Sequence, residues 1–339
     1  MKTYYQNGIM DDINYFLSDS DGFAVQYSRN DILDVFYYKN DFLVQEIDVQ
    51  LVNLFDVFQD MCFKDRDLYY KESCNIPMGI YIGGQSSEIS IGKEEFIRLK
   101  DEYAQYIPDL LKHIYLGDCQ FLVSTIQNLI QSVEYCFIQY FVQISQIELS
   151  DRVNKENDIY YVSSERSRQL NFLIETFFTK IYSILDVMVK IIYELENPVV
   201  NFESIKKLKC SQKIFGDKKE ISINQKEGSI FEDCEIIKQI KDIRNEVVHN
   251  GTWELNPKFY LVVNNNRIER RYMMFPEFEE GLLSRVKNRG RFFSSGKTIN
   301  EAIVEIHDEF YKRLLDTLRY INSKEYLSSI VFSKGSSNT

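Results

Sequence analysis

Arg244, Asn245 and His249 fall close together in the stretch KDIRNEVVHNGTW, Lys241–Trp253. A histidine beside an arginine is a compact kit for phosphodiester chemistry. An imidazole can take the proton from a ribose 2′-OH or protonate a departing 5′-oxygen, because such rings titrate near neutrality. An arginine stays charged, and its planar fork matches two phosphate oxygens. It would stabilise charge building on a phosphorane-like transition state. The same residues have a plainer reading, as a helix-terminal histidine on backbone carbonyls and an arginine in a surface ion pair.

The element that must position these groups is a helix. Ile236, Ile237, Ile240, Ile243, Val247 and Val248 recur at helical spacing, which predicts an amphipathic helix over Ile230–His249. Asn250-Gly251 reads as its C-cap, since glycine takes the left-handed conformation that closes a helix. Asn245 and His249, four residues apart, share a face. Arg244 is offset from His249 by about 140° and must reach with its long side chain.

RNEVVH resembles the R-[polar]-x3-H motif of the HEPN superfamily (higher eukaryotes and prokaryotes nucleotide-binding). The resemblance implies an all-α domain over roughly Cys119–Leu327. It also implies metal-independent ribonuclease activity in a bacterial toxin or anti-phage effector. It carries three catalytic residues: Arg244, Asn245 and His249. Two protomers of such proteins bring their motifs together at a dimer interface, so a homodimer with a composite site is implied. A tyrosine two residues after the histidine marks family toxins silenced by a nucleotidyltransferase partner. Here that position is Gly251, so control would fall to another antitoxin or regulatory partner, or to the N-terminal part of this chain.

Composition limits the alternatives. At 339 residues the chain has room for two cores. Its net charge of −11 argues against a protein that coats nucleic acid, though not against a local basic site. The six cysteines show no C-x2-C pair, hence no standard zinc module. No metal or other cofactor is expected. No signal-like or membrane-length apolar run is present, which predicts a soluble cytoplasmic protein with no membrane partner.

The expected fold is mainly α, a HEPN-like helical bundle with an N-terminal α/β domain and an inserted β-hairpin. The domains expected are 1–118, 119–327 and a disordered tail, 328–339. In the first, Phe23–Tyr27 and Val35–Tyr38 read as strands and Phe42–Met61 as a helix. Gly79–Ile91, with alternating apolar residues around Gly83-Gly84, reads as a hairpin. Lys93–Tyr115 reads as a helix interrupted near Pro108 and ended by Gly117, with Asp118 capping the next. Long helices are expected over Phe121–Leu149 and Glu165–Leu195, the second capped by Ser163 or Ser164. Asp151–Asp158 reads as a loop and lysine-rich Lys206–Lys226 as surface.

Beyond Trp253, the pieces Phe259–Val263 and Tyr272–Phe275 read as the inserted hairpin. Arg267, Arg270, Arg271, Arg285, Lys287, Arg289 and Arg291 make this the most basic part of the chain, interleaved with aromatics. Arg267, Arg270, Arg271, Arg289 and Arg291 are the RNA-binding candidates. Gly290–Thr298 looks like a Walker A loop but has five residues between its glycines, so Thr298 or Asn300 is instead expected to cap the last helix. His113 and His307 lie among apolar neighbours and are expected to be structural. Glu175, Tyr182 and Asp186 are read as structural, with a lesser prospect of lining a cleft that faces His249. The expected function is an endoribonuclease acting on RNA through 2′-OH attack to a 2′,3′-cyclic phosphate. The alternative is a non-catalytic HEPN-like module that binds a nucleotide, RNA or protein.

Overall fold

The computed structural model describes residues 24–27, 33–37, 41–148, 158–209, 221–265 and 267–335. The protein is mainly helical. In chain order the helices are α1 (Asp41–Cys62), α2 (Arg66–Ser73), α3 (Met78–Tyr81), α4 (Lys93–Tyr103) and α5 (Leu110–Ser145). Then come α6 (Glu165–Glu196), α7 (Glu235–Asn250), α8 (Ile299–Ile321) and α9 (Lys324–Gly335). The strands are β1 (Ala24–Tyr27), β2 (Leu33–Tyr37), β3 (Asp158–Val162), β4 (Phe259–Asn264), β5 (Arg267–Tyr272), β6 (Phe278–Glu279) and β7 (Leu282–Leu283). No helix among the described residues is long and apolar enough to cross a membrane.

The chain forms two compact units. One takes the described residues up to Ile47, then Leu129–Ile184 and Gln225–Asp316. The other takes Asp48–Asn128, Leu185–Asn224 and the described residues from Thr317 onward. The first holds the motif helix α7. Its core is built on Phe137, Phe141, Phe177, Phe178, Ile240 and Phe310, all buried. A three-stranded antiparallel sheet of order β3-β4-β5 belongs to it. β4 buries Phe259, Leu261 and Val263 in alternation, as a strand with one face on a core must. The second unit packs Ile76, Ile80, Ile107, Leu110 and Ile114 into one cluster.

Two expectations about the N-terminal third are overturned. Gly79–Ile91 is not a hairpin: it is the short helix α3 followed by turns. Ile80 and Ile82 are both buried although they alternate, because the tight turn folds both inward. A Cβ at Gly83 would lie 2.1 Å from the Gly79 carbonyl oxygen, so this approach requires glycine. Gly117 does not end a helix, and Asp118 caps none. α5 runs unbroken for 36 residues from Leu110. Gly117 lies against the Tyr81 ring, and Asp118 accepts a hydrogen bond from the Gln85 side chain at 2.8 Å. The break at Pro108 between α4 and α5 is as expected.

Smaller corrections follow. The hairpin pairs β4 with β5, Asn264 opposite Arg267, so its second strand starts earlier than Tyr272, and its first strand pairs with β3 on the other side. Asn265, at φ 49°, supplies the left-handed turn that closes it so tightly. α7 starts at Glu235 rather than Ile230, and Val248, expected on its apolar stripe, is exposed. α9 carries helix to Gly335, through the start of the expected tail; residues 336–339 lie outside the described residues. Residues 151–157 of the expected loop and 210–220 of the lysine-rich stretch also lie outside them.

Two caps match their sequence signals. Ser164 and Ser167 exchange hydrogen bonds at the start of α6, and Thr298 and Glu301 do so at the start of α8.

Candidate functional site

α7 forms because Ile237, Ile240 and Ile243 bury one stripe, and it ends where Gly251 turns left-handed at φ 82°. Near its start, the β6–β7 turn closes on the helix backbone. A Cβ at Gly281 would come within 2.8 Å of the Glu235 backbone. Farther along, Asp242 accepts the Leu283 backbone N–H at 2.9 Å. At the far end Trp253 is buried. Thr252 donates to Glu175 of α6 at 2.5 Å, and Asn171 of α6 donates to the same carboxylate.

Arg244 stands on the flank of α7 toward α6. Its guanidinium lies 4.5 Å above the ring of Tyr182, a cation–π contact, and donates to the Asn245 side-chain oxygen at 3.1 Å. Asn245 and His249 are exposed. No hydrogen bond joins His249 to Arg244 or Asn245. The structure thus unites Arg244 with Asn245 and leaves the imidazole open to solvent. Of the residues read as structural on α6, Tyr182 supports the motif arginine, and Glu175 ties down the loop after the motif.

Glu246, inside the motif, is buried and accepts charge-assisted hydrogen bonds from two arginines. Arg285 reaches it at 2.9 Å and Arg291 at 3.1 Å. Arg291 also donates to the Thr252 carbonyl at 2.8 Å, and Arg285 to Asp242 at 2.9 Å. Sequence reasoning missed this clamp. The signal available was a carboxylate between core positions of an amphipathic helix, which requires a buried partner.

The basic candidates divide. Arg267 lies in β5, with its side chain outside the described residues. Arg270 pairs with Glu301 at 2.9 Å and stacks on Tyr272. Arg271 donates to the Ile147 carbonyl at 2.7 Å. Arg289 is exposed. Arg291 belongs to the Glu246 clamp.

The other two histidines are structural. His113 is buried against Phe63 and Tyr69 and within hydrogen-bond reach of Glu72. Burial pulls its pKa down to about 4, so it is neutral there. His307 is fully buried beneath Phe137. Burial works against its charge, but Glu134 at 2.6 Å and Asp308 outweigh that and raise its pKa to about 9.

A family model described as Cthe2314-like HEPN matches residues 119–288, which include the whole motif. No curated protein and no solved structure matches the chain. With half of its length matched, the chain belongs to the HEPN superfamily, whose domains are commonly nucleases or otherwise RNA-related.

Proposed function

We propose that this protein is a metal-independent endoribonuclease in which Arg244, Asn245 and His249 are catalytic. The observation that carries this reading is the support given to the motif. Arg244 is held against Tyr182 and Asn245, while His249 is presented to solvent on the Asn245 face of the same helix turn. A surface ion pair, the plainer alternative, would have left Arg244 on a carboxylate.

In the proposed reaction, the 2′-oxygen attacks the adjacent phosphorus as His249 takes its proton. The P–O5′ bond breaks, leaving a 2′,3′-cyclic phosphate and a 5′-OH. Arg244 stabilises the phosphorane charge and Asn245 orients the ribose or phosphate. The 5′-oxygen leaves on the side opposite the attack, beyond easy reach of the same imidazole. A second copy of the chain therefore supplies the acid, which calls for a homodimer. Val248, next to His249 in the chain and 49% exposed, suits such an interface. Growth arrest in bacterial toxicity or anti-phage defence is the biological role we assign.

The test is an RNA substrate with a single 2′-deoxy substitution at a mapped cleavage position. Cleavage there should stop while neighbouring sites stay active. Continued cleavage at the deoxy position would exclude 2′-OH attack.

A further inference from the structure

We propose that the turn Val286–Arg289 is a phosphate-binding finger for single-stranded RNA, held beside the motif helix by Glu246. The inference rests on the ribonuclease reading and names a surface through which its substrate is gripped.

The segment Arg285–Arg291, RVKNRGR, carries four cations and no carboxylate in a chain of net charge −11. Its centre is a two-residue turn. The Val286 N–H donates to the Arg289 carbonyl at 2.7 Å, and the Arg289 N–H returns the bond at 3.0 Å. Lys287 occupies the turn at φ 54°, a left-handed conformation that favours glycine or asparagine. A lysine held there points to work for its side chain.

The cations divide by task. Arg285 and Arg291, at the two ends of the segment, are neutralised by Asp242 and Glu246 on α7. They fix the turn to the helix. Lys287 and Arg289 are exposed and have no ion-pair partner among the described residues. Between turn and helix lies a cleft of about 350 Å³, lined by Glu246, Asn250, Leu255, Lys287 and Arg291 among others. Arg291 has in addition a buried Nε with no hydrogen-bond partner among the described residues.

The cleft lies on the correct flank. On an ideal helix, Glu246 and Asn250 are about 60° and 100° from His249, while Arg244 is about 140° away in the opposite direction. A strand crossing His249 would meet Arg244 on one side and the finger on the other. A lysine in a narrow turn and an arginine in the pair that closes it suit backbone phosphates, which carry no sequence information.

The probe is a fluorescent single-stranded 2′-O-methyl RNA, which binds without offering the attacking hydroxyl. Its affinity is measured across a salt series for the full-length wild type and for the double variant Lys287→Ala/Arg289→Ala. The double variant should bind about tenfold more weakly, with a log-log salt slope shallower by about 1.4, at ~0.7 per lost phosphate contact. A control removing two cations from α4, Lys93→Ala/Lys100→Ala, should lose less than twofold. Unchanged affinity of the finger variant, or an equal loss in the control, overturns the finger. Cleavage of natural RNA by the wild type is scored separately. Finger failure with cleavage intact refutes only this inference. Finger-dependent binding without cleavage supports the finger and removes the ribonuclease reading instead.

Discussion

The guanidinium of Arg244 lies 4.5 Å above the ring of Tyr182, so the motif arginine is held by an aromatic face rather than by a carboxylate. No carboxylate among the described residues neutralises it, which in the proposed reaction leaves its charge to the phosphate. A carboxylate partner in the same place would compete with the substrate. Replacing Tyr182 by Ala should therefore lower kcat more than it raises KM, by roughly five- to tenfold, since such a contact is worth about 1 kcal/mol. Tyr182→Phe, which keeps the ring, should retain most of the activity. Equal losses in the two variants would refer the effect to the hydroxyl instead.

Glu246 predicts a stability effect that the motif spacing alone would not. It is buried and serves two arginines, so Glu246→Ala leaves both without their shared carboxylate. Both arginines keep some solvent access, and the expected loss is about 2 kcal/mol. Chemical denaturation should show the unfolding free energy falling by that amount, with a lower midpoint. An unchanged midpoint would mean that the clamp contributes nothing in solution.

The two buried histidines set opposite limits on pH stability. His307 has its folded pKa raised to about 9 from 6.5. Its contribution is complete below pH 6.5 and is lost as pH rises toward 9. His113 is depressed to about 4 from 6.5. There the unfolded chain takes up a proton that the folded chain refuses, so stability falls as pH drops from 6.5 toward 4. Each effect is on the order of 3 kcal/mol at its limit. Denaturation midpoints measured from pH 4 to 9 should form a dome. Replacing His307 by Gln should flatten the alkaline side only.

Features set by local pattern were legible in the sequence. Ile237, Ile240 and Ile243 mark the buried stripe of α7, and Gly251 marks its end, because both depend only on near neighbours. Thr298, one of the two caps expected for α8, is legible for the same reason. What failed depends on distant contacts. Gly117 carries the signal of a helix stop, yet packing against Tyr81 carries the helix through it. Ile80 and Ile82 alternate like a strand but are buried by a turn that Gly83 permits. That Arg244, Asn245 and His249 sit together on the last turns of α7 could be read, whereas the Glu246 clamp could not, since Arg291 reaches it from 45 positions away.

The most direct measurement is cleavage of an end-labelled RNA in EDTA by the wild type and by His249→Ala, matched for fold and for mass in solution. The account predicts cleavage by the wild type alone, with 2′,3′-cyclic phosphate ends. Cleavage at equal rates by both proteins, or none by the wild type, would contradict it.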